Sequence, residues 1–319
     1  MSGEKSKSSG ETGENIVNKF FEKVGWPNSD PNISFACHFG NDHKEKDAKN
    51  PRTQHGVDES FSYISGLESE TVVQILASVK HTTGKYAQSL TNPVKEFIDD
   101  IAFSSKCFQV SEHYNNIYSL FSGSTIKEVK RIPVLFYLAS GDDPNANYVQ
   151  RFSNTQYFKK FEDLEEFHIV DNSKITFMLN AINHVSNTYH DFDINFSHTS
   201  TSLNVMTIGQ RTYSKTMPVE YLTLPYLAFV LKKGSEGEEI FKYVVVTSEP
   251  FSQDGLSRHT FGALASTADK VSSISICFPD YFRDEHQTDV NKVMTTHGLT
   301  KSFLKIENYI PNFRSLNNE

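Results

Sequence analysis

Apolar positions in the first half of the chain follow two rhythms. From Glu14 to Val24 (ENIVNKFFEKV), Ile16, Val17, Phe20, Phe21 and Val24 recur at three- and four-residue spacing and predict an amphipathic helix. Thr12 or Gly13 is expected to cap it, Gly25 to end it, and Glu14 falls in its first turn, where the helix dipole favours a carboxylate. Ile33 to Phe39 predicts a short strand, and Val57 to Ile64 a second. Thr71 to Lys80 is a third, nearly all apolar and rich in β-branched residues, as expected of a strand covered on both faces. A helix follows from Pro93 to about Ser105, with Asn92 as N-cap and Val94, Phe97, Ile98 and Ile101 as its buried stripe. Glu112 to Phe121 is a second helical stretch, and Ile132 to Ala139 (IPVLFYLA) reads as a central strand. The order helix, three strands, two helices, strand predicts an α/β core whose sheet lies between helices.

The pattern changes after the turn GDDPN at 141–145. Residues 149 to about 185 read as helical, most clearly in FKKFEDLEEF. Leu203–Ile208, Tyr226–Leu231, Tyr243–Val246 and Ser273–Phe278 read as strands. GSEG at 234–237 is a hairpin-type turn, and Thr288–Thr295 a short helix. Three segments are therefore expected: a polar, disordered tail at 1–12, an α/β domain at 13–145, and an α+β, β-rich module at 146–319. Asn41 to Arg52 (NDHKEKDAKNPR) is a charged loop able to touch a polyanion.

Composition narrows the function classes. The 319 residues carry a net charge of −8, which argues against coating nucleic acid through bulk charge but leaves room for a local basic groove. Lys85, Lys95, Lys106 and the run KEVKR at 127–131 are candidates for one wall of such a groove, although a solvated surface accounts for them more simply. The 3 cysteines form no CxxC pair, and the histidines show no HxxxH or HxH spacing on one element, so a disulfide framework and a zinc site are not expected. No apolar run is long enough to span a bilayer, and the N-terminus lacks the apolar stretch of a secretory signal, which points to the reducing cytoplasm. No GxSxG, P-loop or GxGxxG motif occurs.

The candidate chemistry lies in HGVDESFSYISGLESETVVQILASVKHT, residues 55–82. A lysine closing a buried strand needs a carboxylate, a phosphate or open solvent, and Asp58 is the nearby acid if the two strands pair as a hairpin. Taken singly, Asp58 reads as a strand-start acid, Lys80 as a strand-end lysine reaching solvent, and Glu14 as a first-turn glutamate. Together, an acid on a helix, an acid on a strand and a lysine on the next strand meet the needs of metal-assisted phosphodiester cleavage.

This layout, with Glu14 on an opening helix, HGVD at 55–58 and ASVKH at 77–81, resembles the PD-(D/E)XK, or restriction-endonuclease-like, superfamily. The element order through residue 139 resembles the αβββαβ core of that fold. The resemblance implies that Asp58 and Glu14 hold Mg²⁺ or Mn²⁺ and that Lys80 is the catalytic lysine of a DNA-cleaving enzyme, with RNA not excluded. A nuclease domain followed by an unfamiliar module is also similar to nuclease subunits of prokaryotic anti-phage defence systems, which implies a second protein subunit. One position departs from the pattern: where the superfamily has Asp or Glu two residues before the lysine, this chain has Ser78. Strand periodicity puts 76, 78 and 80 on one face, so Ser78 occupies the place of the missing acid. Gln74 shares that face but lies roughly 20 Å from Lys80, too far to replace it. A hydroxyl can hold a metal-bound water, yet it removes one negative charge. An inactive nuclease fold acting as a structural or DNA-binding subunit is therefore the alternative. Glu14 is the candidate second carboxylate, ahead of Asp99 and Asp100.

Overall fold

The structure is a computed structural model that describes residues 8–44, 48–152, 156–158, 164, 166–198, 213–234, 238–267 and 270–310, and the backbone of 2–7. Two compact units divide the chain, Met1–Thr176 and Phe177–Glu319.

The first unit opens with α1 (Ser2–Lys23). Val17, Phe20, Phe21 and Val24 are buried as their spacing requires, while Ile16 stays on the solvent side. The helix starts well before Glu14, so residues 2–12 are helical rather than a disordered tail, and neither Thr12 nor Gly13 is a cap. A tertiary contact explains the extension: the Ser9 hydroxyl donates to the His81 carbonyl at 3.0 Å and lies 2.8 Å from the His81 ring. Gly25, at φ 73, ends the helix, and the Trp26 N–H bonds back to Phe21 O at 2.8 Å.

Strands β1 (Asp30–Ala36), β2 (Gln54–Ile64), β3 (Thr71–Thr82), β4 (Glu128–Ala139) and β5 (His168–Val170) form one sheet in that order. β1–β2 and β2–β3 pair antiparallel, β3–β4 and β4–β5 parallel. α1 covers one face, where Phe20 and Phe21 each meet Phe136 edge-on at 5.9 Å and Trp26 stacks on Phe61 at 6.2 Å. On the other face, Val94, Ile98, Ile101 and Ala102 of α2 (Asn92–Phe108) join Val72, Leu76 and Leu135 in one core. Thr91, one residue earlier than expected, is the N-cap of α2. α3 (Glu112–Leu120) follows, capped by the Ser111 hydroxyl, which accepts the Tyr114 N–H. β3 is thus buried on both faces, the environment its composition predicted.

The first unit runs to Thr176 rather than to 145. Two features hold residues 146–176 to it. β5 extends the sheet beside β4, from Val134↔His168 to Phe136↔Val170. Asn172 then ties back to β4, its side-chain Oδ1 accepting the Ala139 N–H at 3.0 Å and its Nδ2 donating to Ala139 O at 2.9 Å. Among the described residues, the stretch read as helical from 149 holds a 3₁₀ turn at Val149–Phe152 and then β5, and α4 (Asn172–Thr188) follows across the division between the units. Most of FKKFEDLEEF lies outside the described residues.

The second unit carries β6 (Asp193–Ser197), β7 (Tyr213–Ser214), β8 (Tyr226–Lys233), β9 (Ile240–Thr247), α5 (Gln253–Thr267), β10 (Ser273–Phe278), α6 (Arg283–His297) and β11 (Leu304–Asn308). Its sheet order is β11-β10-β9-β8-β6-β7. β9, β10 and β11 pair in parallel with α5 and α6 between them in sequence, while β6, β7 and β8 pair antiparallel. The module is therefore half α/β crossover rather than β-rich, and its last helix is longer than Thr288–Thr295 suggests. The expected strand Leu203–Ile208 and most of the GSEG turn lie outside the described residues.

Candidate active site

The β2–β3 ladder runs from Ile64↔Val72 to Glu59↔Ala77 and stops there. Past that point the Asp58 side chain takes the place of a backbone acceptor. Its Oδ2 accepts the Val79 N–H at 2.6 Å, lies 3.3 Å from the Ser78 hydroxyl and 3.8 Å from the Lys80 ammonium. The strand turns over at this residue. His55 and Val57 face α2, with His55 Nδ1 3.2 Å from Ser104 Oγ and Val57 in the core shared with α2. Glu59 and Phe61 face the other way, Glu59 accepting the Ser29 hydroxyl at 2.5 Å and Phe61 under Trp26. In a regular strand all four would share one face. On the neighbouring β1, Asn32 falls between the paired residues Pro31↔Glu59 and Ile33↔Val57 and has a left-handed φ of 52. The reversal leaves the Asp58 carboxylate between the parting strands, with its side chain 26% exposed and that of Lys80 31% exposed.

Glu14 reaches the same place because α1 lies close on β3 at Gly13. A Cβ at Gly13 would stand 2.7 Å from His81 Cβ and 3.2 Å from Val79 Cγ1, so only glycine allows this approach. Burial pushes the Glu14 carboxyl above its ordinary value, and the Asp58 and Glu59 carboxylates push the same way, against the pull of Lys80. The Glu14 carboxyl thus stands in a field with more carboxylates (Asp58, Glu59 and Glu11) than ammonium groups (Lys80). An Asp–Lys pair this exposed is worth at most about 1 kcal/mol, so the surplus of like charge is not there for stability. It suits a divalent cation, which takes one or two carboxylates and keeps several waters.

Of the residues expected at the site, Ser78 and Lys80 lie within hydrogen-bond and ion-pair reach of Asp58, and Glu14 is near enough for the Asp58 and Lys80 charges to act on its carboxyl. Alternation from Asp58 puts Glu59 on the far face of a strand; the reversal at Asp58 and the Asn32 φ that accompanies it leave no mark in the sequence. Ser78 is buried and serves Asp58 as a hydrogen-bond donor. Asp99 and Asp100 are engaged elsewhere, Asp99 with the Tyr157 hydroxyl and Asp100 with Arg52 at 2.5 Å.

Lys80 opens onto a cleft of about 850 Å³ lined also by Lys44, Arg52, Lys95, Phe97, Asp99, Asp100 and Tyr157. The Lys80 ammonium sits 5.8 Å from the Phe97 ring centroid. The 41–52 loop thus does bring cations beside the site, through Lys44 and Arg52, and Lys95 joins them from α2. The KEVKR run does not. Glu128 pairs with Thr71 at the start of β3, nine residues before Lys80 and so roughly 30 Å along the strand. There Lys127 binds Glu70, Lys130 binds Glu166 at 3.2 Å, and Arg131 donates to Ser105 O at 2.7 Å.

Residues 1–174 match the family model described as the GAPS4 protein PD-(D/E)XK nuclease domain. The chain belongs to this family. No curated protein and no solved structure matches it. The matched segment ends two residues before the first unit does at Thr176, so the PD-(D/E)XK nuclease domain takes in β5 and the start of α4. Nucleases of this class typically use divalent metals, in keeping with the carboxylate surplus at Glu14, Asp58 and Glu59. Among the described residues no helix is long and apolar enough to cross a membrane.

Proposed function

We propose that the chain is a metal-dependent nuclease that cleaves DNA, with Asp58, Glu14 and Lys80 as its working residues. The observation that carries this is the convergence of Asp58 and Lys80 at 3.8 Å where β2 and β3 part, beside a cleft lined by both cations and carboxylates. Asp58 and Glu14 hold Mg²⁺ or Mn²⁺. When bound, the ion makes a coordinated water more acidic and offsets negative charge on the phosphate. Asp58 is kept in position by the Val79 N–H and the Ser78 hydroxyl, and it in turn holds the Lys80 ammonium. Lys80 presents hydrogen-bond donors and positive charge to the cleft, where it orients the attacking water and stabilises charge gathering on the phosphate oxygens. Lys44 and Lys95 attract the DNA backbone, and the resulting affinity falls as salt rises. The second unit selects substrate or binds a second protein subunit, and the setting is cytoplasmic anti-phage defence, as in the defence nucleases that a two-part chain of this kind resembles.

A plasmid-cleavage assay in Mg²⁺ or Mn²⁺ tests the reading. Wild type cleaves, and Asp58→Ala and Lys80→Ala each lose at least about 100-fold in rate. Cleavage that survives both substitutions would refute the assignment. Ser78 favours a second reading, an inactive nuclease fold serving as a DNA-binding or structural subunit, because its hydroxyl brings no charge where the superfamily pattern has an acid. That reading requires no cleavage with either metal, with or without cellular partners, and binding untouched by Lys80→Ala.

A further inference from the structure

Away from the carboxylates, four side chains from separate parts of the first unit point their ligating atoms at one spot. Cys37 just follows β1, His43 lies in the 41–52 loop, His55 stands near the start of β2 and Cys107 in the last turn of α2. Sγ of the two cysteines, Nδ1 of His43 and Nε2 of His55 lie within 4.8 Å of one another. Cys37 Sγ to Cys107 Sγ is 3.9 Å, His43 Nδ1 to the two sulfurs 3.7 and 3.4 Å, and His43 Nδ1 to His55 Nε2 3.1 Å. A tetrahedral zinc with Zn–S near 2.3 Å and Zn–N near 2.05 Å sets S···S at about 3.8 Å, S···N at about 3.6 Å and N···N at about 3.4 Å. The four measured separations follow that order and differ from it by about 0.3 Å or less.

We propose that Cys37, His43, His55 and Cys107 form a closed structural zinc site. Zinc is favoured among metals because two thiolates with two imidazoles in tetrahedral spacing is its usual structural donor set. The surroundings are those of such a site. His55 Nδ1 meets Ser104 Oγ at 3.2 Å, which fixes the ring and leaves Nε2 free to ligate. The His38 N–H points at Cys107 Sγ at 3.4 Å, as a thiolate requires. Phe103 stacks on His43 at 4.4 Å and Phe39 lies 4.8 Å away, which fixes the His43 ring from two sides. Local spacing gave no zinc motif because the ligands come from four places in the chain. The metal would clamp the loop that carries Lys44 and Arg52 into the cleft and brace β2 three residues before Asp58.

The test is metal analysis of the full-length, untagged protein after dialysis against a mild chelator, with X-ray absorption at the zinc edge. The expected result is one zinc per chain with a shell of two sulfurs and two nitrogens. Cys107→Ser loses the zinc. Ser104→Ala keeps all four ligands but loses about 10- to 100-fold in zinc affinity. Cys277→Ser, in the second unit, and Asp58→Ala, in the nuclease site, keep it. Zinc well below one per chain, even after refolding with Zn²⁺, would overturn the proposal, as would a shell lacking sulfur or zinc lost from Asp58→Ala. The readout is metal content, so it stands or falls apart from nuclease activity.

Discussion

Gly13→Ala tests how the carboxylates are brought together. A methyl group at Gly13 would meet His81 Cβ at 2.7 Å and Val79 Cγ1 at 3.2 Å. Carbon atoms in contact sit about 3.5–4.0 Å apart. The His81 Cβ is fixed to β3 and cannot swing away, so α1 must retreat by roughly 1 Å at this turn. Two stability effects then oppose each other. Alanine gains about 1 kcal/mol over glycine inside a helix, while the overpacked contact costs about 1–3 kcal/mol. The net loss is roughly 0–2 kcal/mol, which leaves the unit folded. Chemistry suffers far more, because a shift of about 1 Å between Glu14 and Asp58 is of the size that costs about 100-fold in rate. The assay pairs chemical denaturation with single-turnover DNA cleavage over a Mg²⁺ titration. A folded variant, slow and needing more Mg²⁺, is the expected result. A variant about 1 kcal/mol more stable than wild type that cleaves at the wild-type rate would show that α1 does not set the site.

Two further outcomes are expected. Ser78→Glu restores the acid that the superfamily pattern calls for: an added carboxylate about 4 Å from a divalent ion gains about 2 kcal/mol even at the dielectric of water, some thirtyfold in Mg²⁺ affinity. Calorimetry of Mg²⁺ binding measures this, and unchanged affinity would place the ion away from Ser78. In the second unit, burial works to raise the Glu307 carboxyl, but His184 at 3.5 Å and the hydroxyls of Tyr189 at 3.0 Å and Ser275 at 3.3 Å prevail and hold it below 4.5. A depressed carboxyl contributes stability that is present above its unfolded value and lost as pH falls through the folded one. Hydrogen-exchange protection of β10 and β11, taken relative to the intrinsic rate at each pH, should therefore fall below about pH 4.5 in wild type. Glu307→Gln should flatten that dependence, and an equally steep response in the variant would contradict the assigned cause.

How far the sequence could be read depended on how local each signal was. The apolar run of β3 and the Val17, Phe20, Phe21, Val24 stripe follow from periodicity, because a strand or helix imposes its own repeat on the residues it buries. Asp58 and Lys80 were legible for the same reason, as neighbours at the ends of paired strands. β5 was not, since three residues paired to β4 leave no pattern, although they belong to the first unit. Residues 2–12 look like a tail in isolation and are helical where Ser9 reaches His81. Gly13 looked like a cap and is instead the point of closest approach between helix and sheet. Glu59 and the Cys37, His43, His55, Cys107 cluster depend on a strand reversal and on contacts between distant segments, which no spacing rule records.

The most direct test of the central claim is anomalous diffraction from crystals grown with Mn²⁺. The account predicts a manganese peak about 2.2 Å from carboxylate oxygens of both Asp58 and Glu14, absent from Asp58→Ala crystals. A peak bound elsewhere, or none at these residues in crystals of protein that cleaves DNA, would contradict it.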